Sequence, residues 1–77
     1  MKTALVVDDE PLLRRQVSEA LARFGFDEIV EGSNGQEALI LALTHKPILV
    51  VMDVSMPVMD GINAAENIIE QAPAPIV

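Results

Sequence analysis

The sequence predicts an α/β domain: a parallel sheet with helices on both faces. Three observations predict it. Two short apolar runs, Leu5-Val6-Val7 and Ile48-Leu49-Val50-Val51-Met52, are continuous rather than alternating. Strands buried on both faces read this way. Between and after them, apolar residues recur at helical spacing. The resulting order, β-α-β-α-β-α-(β), is that of parallel strands joined by crossover helices, right-handed by chirality.

Each element has its own signals. Ala4 to Val7 reads as the first strand. Pro11 suits the first turn of a helix, where the N–H that proline lacks has no partner in any case. Leu13, Val17, Ala20, Leu21 and Phe24 continue that helix, and Gly25 ends it as a glycine one place past the cap. Asp27 to Glu31 reads as a second strand around Ile29 and Val30. Asn34 with Glu37 three residues on resembles a capping box, and a second helix carries Ala38, Leu39, Ala42 and Leu43 on one face. Pro47 closes it, because the residue before a proline leaves the α region. Ile48 to Met52 is the third strand, and Val54 to Asp60 a loop. Asp60 is placed to cap a third helix through Ile62, Ala65, Ile69 and Ala72. Pro73-Ala74-Pro75 is a connector, and Ile76-Val77 opens a fourth strand.

Composition narrows the function classes. At 77 residues the chain holds one domain at most. With 51% apolar residues and 3% aromatic ones, its core must come from Val, Ile, Leu, Ala and Met. It has no cysteine, hence no disulfide and no thiolate metal site, which fits a reducing cytoplasm. A net charge of -7 argues against direct nucleic-acid binding, which needs cations against phosphates. It suits a cation site or a basic partner. No apolar stretch approaches the roughly 20 residues that span a bilayer, and no glycine-rich phosphate loop marks a nucleotide site.

The chemistry-bearing feature is where the acids stand. Asp8 and Asp9 close the first strand, and Asp53 closes the third. In open parallel sheets, ligands bind outside the carboxyl ends of the strands. If these strands are neighbours, the three carboxylates converge and repel, by roughly 3 kcal/mol per pair at about 5 Å and an effective dielectric near 20. A hard divalent cation relieves that cost, and Mg2+ takes oxygen ligands of this kind. Taken singly, Asp8, Asp9 and Glu10 also suit the positive end of a helix, and Asp53 suits a cap or turn. Asp60-Gly61 suits loop geometry. His45, beside Lys46 at a helix end, suits the dipole, and Met52, Met56 and Met59 suit packing.

The blocks Val6-Val7-Asp8-Asp9-Glu10-Pro11 and Val51-Met52-Asp53-Val54-Ser55-Met56-Pro57-Val58-Met59-Asp60-Gly61, with Gly32-Ser33-Asn34-Gly35-Gln36-Glu37-Ala38-Leu39 between them, resemble the receiver domain of bacterial two-component response regulators. The resemblance covers essentially the whole chain, so residues 1–77 are expected to form a partial receiver domain. It implies a flavodoxin-like (βα) receiver fold, truncated after three βα units and the start of the fourth strand. It implies that Asp53 accepts a phosphoryl group from a sensor histidine kinase, a phosphotransfer protein or a small phosphodonor. It further implies that Asp8, Asp9, Asp53 and the backbone carbonyl of Ser55 hold Mg2+, Asp8 directly or through water. The expected setting is the cytoplasm, with no membrane association and no enzymatic activity beyond the domain's own phosphorylation. The first helix contacts the kinase in receivers, which offers Arg14 and Arg15 a docking role beside the plain reading of a solvated face. The stretch Gly61-Ile62-Asn63-Ala64-Ala65 is similar to receivers attached to RNA-binding antiterminator output domains.

Receivers also carry a Thr or Ser ending the fourth strand and a Lys ending the fifth. Neither position lies within these residues, and Lys2 and Lys46 are not placed to substitute. The expectation is therefore a module of impaired activity, or one that self-associates through a truncated sheet edge. A competing reading is a non-phosphorylated interaction or dimerisation module derived from a receiver. Ile48 stands where many receivers carry an acid. A haloacid-dehalogenase reading needs a second Asp two residues after the first, and Ser55 stands there. A calcium loop over Asp53 to Gly61 fails because Val and Met occupy the alternating ligand positions.

Overall fold

The computed structural model describes residues 1–53 and 76–77. The elements run β1 (Thr3–Val7), α1 (Pro11–Arg23), β2 (Glu28–Gly32), α2 (Gly35–His45) and β3 (Leu49–Met52). The strands are all parallel and lie in the order β2-β1-β3. The expected loop from Val54, the helix capped by Asp60 and the Pro73-Ala74-Pro75 connector lie outside the described residues. Ile76 pairs in parallel with Val50, and Val77 exchanges backbone hydrogen bonds with Met52 (3.0 Å) and Val50 (2.8 Å). The fourth-strand position expected of Ile76-Val77 is therefore taken up on the free side of β3.

Burial explains the order. β1 is the central strand of the three and buried at every position, with Ala4, Leu5, Val6 and Val7 at 1% exposure or less. Burying a Leu or Val side chain of this kind stabilises the fold by about 1.5–3 kcal/mol. Successive residues of a strand face opposite sides. Leu5 and Val7 join Val50, Met52, Ala38 and Ala42 in one cluster beneath α2. Ala4 and Val6 face the other side. The chain leaves β1 towards β2 and returns past β1 to β3, so right-handed crossovers put α1 and α2 on opposite faces.

The helix limits follow from local chemistry. Pro11 opens α1, which ends at Arg23; Gly25, at φ +100°, makes the left-handed turn that releases the chain towards β2. In α2 the Asn34 side chain caps the helix by accepting from the Glu37 N–H at 2.8 Å. The reciprocal half of the capping box is displaced by one residue. Glu37 Oε1 accepts from the N–H and hydroxyl of Ser33 (2.8 and 2.9 Å), not from Asn34. Both bonds favour the charged form and hold the Glu37 carboxyl below its ordinary pKa, the backbone bond contributing most. Lys46 caps the other end at φ 48°, and Pro47 prevents continuation.

Two helix faces and one strand limit differ from the sequence expectation. Phe24 is 81% exposed and Leu13 45%, while Ser18 is buried on α1's inner face. Ser18 can be buried because its hydroxyl donates to the Arg14 carbonyl one turn back, at 2.9 Å. On α2 the inward residues are Ala38 and Ala42, whose small side chains let the helix approach the sheet, and Leu43 is turned out. β2 spans Glu28 to Gly32, one residue later than read from the sequence, because Gly32 still pairs with Val7. No helix among the described residues is long and apolar enough to cross a membrane.

Candidate functional site

Strand register brings the acids together. Val7 and Met52 are partners in the β1–β3 ladder, so Asp8 and Asp53 are the next residues along adjacent strands. Asp53 N–H donates to the Val7 carbonyl at 3.1 Å, and Asp8 N–H to the Gly32 carbonyl at 3.2 Å. Neighbouring strands lie about 4.8 Å apart, which sets the spacing at which such side chains emerge. One carboxylate oxygen from each of Asp8, Asp9 and Asp53 lies within 4.8 Å of the others. Asp8 and Asp53 are half-buried and Asp9 is exposed. The cluster stands at the carboxyl ends of β1 and β3, beside the point where the strand order reverses, which is where open α/β sheets bind ligands.

Asp8 is held at three points. Beyond its N–H, its Oδ1 accepts from the Glu10 N–H at 2.9 Å, and its carbonyl accepts from Arg14 Nη1 at 2.8 Å. The bond to Glu10 N–H occupies one oxygen and leaves the carboxylate a second for a cation. Asp8 and Asp9 both precede the α1 cap at Glu10, and no acid stands in that helix's first turn. The macrodipole alone does not account for them. Asp9 accepts no hydrogen bond among the described residues.

The donor set fits a small hard cation. Three carboxylates are oxygen-only ligands, as Mg2+ or Ca2+ requires. Mg2+ takes its oxygens at about 2.0–2.1 Å, so neighbouring ligands stand about 3 Å apart; carboxylate oxygens within 4.8 Å of one another would reach one ion by drawing together or with an acid bound through water. The Ser55 carbonyl, expected as a further ligand, lies outside the described residues.

Other candidates fall elsewhere. Lys2 and Lys46 each stand just before a strand, at the amino end of the sheet and away from the acids. His45 Nδ1 lies 3.9 Å from Glu28 Oε1, also at that end. Ile48 is half-exposed and its N–H donates to the Thr3 carbonyl at 2.9 Å, away from the cluster. Arg14 was expected to be solvated or to dock a partner. Its guanidinium does not lie on a solvated face but is drawn inward, bonded to the Asp8 carbonyl and, through Nε at 3.0 Å, to Glu31 Oε1. The sequence carries a signal for this: Arg14, Val17, Ser18 and Leu21 share one helical stripe.

Comparison with known proteins agrees with this geometry. Residues 4–77 match the family model described as response regulator receiver domain. The chain is 46% identical over 76 residues to the transcriptional regulatory protein PdtaR of Mycobacterium tuberculosis, covering 99% of this chain and 37% of that protein. It superposes on the response regulator domain of Thermotoga maritima CheB with a TM-score of 0.89 at 30% identity, covering 99% of this chain and 57% of that one. The CheX-CheY-BeF3-Mg2+ complex of Borrelia burgdorferi gives a TM-score of 0.84 at 34% identity, with 90% and 53% covered. The chain thus spans little more than a third of the first of these and over half of the two solved structures. Matched along nearly all of its own length, the chain belongs to the response regulator receiver domain family, and its acidic cluster supports a phosphoaccepting role.

Proposed function

We propose that Asp53 is the phosphoacceptor of a two-component signalling protein, with Mg2+ held by Asp8, Asp9, Asp53 and the Ser55 carbonyl. The observation that carries this reading is the convergence of three carboxylates at the carboxyl ends of two adjacent strands. The phosphodonor is a phosphohistidine on a sensor kinase or phosphotransfer protein, or a small acyl phosphate. The reading places the protein in the cytoplasm, where such kinases deliver their phosphoryl groups.

Phosphoryl transfer asks a protein mainly for positioning and charge stabilisation. Asp53 is positioned by the β1–β3 ladder through its N–H to Val7. One of its oxygens attacks phosphorus in line with the leaving group. The bond from phosphorus to the donor nitrogen or oxygen breaks, and the leaving group takes the electron pair. Asp53 needs no general base, because an ionised carboxylate has no proton to lose. Asp8 and Asp9 raise the negative charge at the site, and Mg2+ when bound supplies the countercharge that lets phosphoryl oxygens approach. A receiver domain is not itself a classical enzyme beyond this self-phosphorylation.

The acyl phosphate so formed has a chemical signature. Treating the phosphorylated protein with borohydride reduces an aspartyl phosphate to homoserine. Peptide mapping should find homoserine at residue 53 alone. Homoserine at Asp8 or Asp9, or none after phosphodonor treatment, would refute the assignment.

A further inference from the structure

Arg14 joins three elements at the rim of the acidic site. Its Nη1 donates to the Asp8 carbonyl at 2.8 Å, and its Nε donates to Glu31 Oε1 at 3.0 Å. Glu31 pairs in register with Val6, and the next residue, Gly32, accepts the Asp8 N–H. The guanidinium therefore ties the first turns of α1 to the ends of β1 and β2. Arg14 is only 20% exposed and Glu31 24%, so the bonds are partly shielded from water. Arg15 reaches Glu31 Oε2 at 3.5 Å but is 67% exposed and has no bond to Asp8.

We infer that Arg14 is a positioning residue for the cation site: by gripping the Asp8 carbonyl against Glu31, it fixes the backbone from which the Asp8 and Asp9 carboxylates project. The inference rests on the divalent-cation reading of the cluster. Two physical points support it. A planar guanidinium holds a carbonyl and a carboxylate through two separate nitrogens of fixed geometry, whereas lysine offers all its donors from one freely rotating nitrogen. Groups that orient metal ligands without touching the metal typically change metal affinity by about 10- to 100-fold when removed.

The sign of the effect separates positioning from charge. A guanidinium near a divalent cation repels it. If Arg14 acted by charge alone, removing it would tighten Mg2+ binding. Positioning predicts the opposite.

The experiment is a Mg2+ titration of the protein and three variants by calorimetry, since the chain has no Trp or Tyr to report binding. Arg14→Met and Arg14→Lys should each raise the Mg2+ Kd about tenfold or more. Arg15→Met removes the same charge from the same carboxylate and should leave Kd within about twofold. Far-UV circular dichroism at the titration temperature establishes that each variant is folded. Should Arg14→Met be unfolded there, Arg14→Lys decides, because it keeps the charge and loses only the fork. Arg14 variants that bind as tightly as the parent or tighter would overturn the inference, as would an equal loss in Arg15→Met. A parent protein that binds no Mg2+ would instead refute the cation reading, and the inference with it.

Discussion

Replacing Asp9 with Asn should stabilise the metal-free protein while abolishing its response to Mg2+. The three carboxylates offer oxygens within 4.8 Å of one another. At that separation two unit charges repel by about 3.5 kcal/mol at an effective dielectric of 20 and by about 0.9 kcal/mol in bulk water. Asp9 is exposed, which puts its two pairs near the lower figure. Removing its charge therefore relieves about 2 kcal/mol at low salt, and less near 0.15 M, where the screening length is about 8 Å. For a domain of this size each kcal/mol is worth about 4–8 °C in Tm. In EDTA and low salt, Asp9→Asn should melt about 8–16 °C above the parent, with the gap narrowing as salt is added. In Mg2+ at a hundred times its Kd, the parent gains about 2.7 kcal/mol and the variant little, so the order closes or reverses. Melting curves followed by far-UV circular dichroism, with EDTA or MgCl2 at two salt concentrations, test both halves. A lower metal-free Tm in Asp9→Asn, or a gap that ignores salt, would refute the reasoning.

Two further outcomes follow from α2. Asn34→Ala removes the cap on the Glu37 N–H and should cost about 1 kcal/mol in urea unfolding, with Asn34→Gly costing only a few tenths. Glu37 has its folded pKa lowered by the Ser33 N–H and hydroxyl, so its contribution to stability is present above its ordinary value of 4.5 and lost as pH falls through the lowered one. Glu37→Gln should therefore be less stable than the parent at neutral pH, and the two Tm curves should converge in acid. Curves that stay parallel down the acid limb would show that the Ser33 contacts do not depend on the Glu37 charge.

Much of this architecture was legible in the sequence, for reasons that can be named. β1 and β3 were readable because Ala4 to Val7 and Leu49 to Met52 are apolar without interruption, although only β1 is buried at every position and β3 at alternate ones, and their closing acids stood out against that background. α2's start was readable because Asn34 and Glu37 carry the cap chemistry in their side chains, although the Glu37 arm settles on Ser33. Strand ends were less so: β2 extends to Gly32 because of its partner Val7, a register that no local pattern contains. The inner face of α1 was misread at Phe24 and Leu13, since periodicity marks an apolar stripe without saying how wide a strip the sheet covers.

The acids themselves were identified as residues, and their meeting followed from a neighbour relation only the sheet order supplies. Arg14 was named for docking or a solvated face, and its inward bonds were not foreseen. Arginine on a helix is usually solvated, and its inward turn depends on two acceptors outside the helix, the Asp8 carbonyl and the Glu31 carboxylate. Ser18 is the parallel case among neutral residues, made tolerable inside by a bond to its own helix.

The central claim is that the clustered acids serve phosphoryl transfer to Asp53. Incubating the protein with acetyl phosphate, with and without Mg2+, and weighing it intact tests that claim most directly. The account predicts a single added phosphoryl group in Mg2+, none in EDTA, and none in Asp53→Asn under either condition. An adduct that persists in Asp53→Asn, or one that forms equally well without a divalent ion, would contradict it.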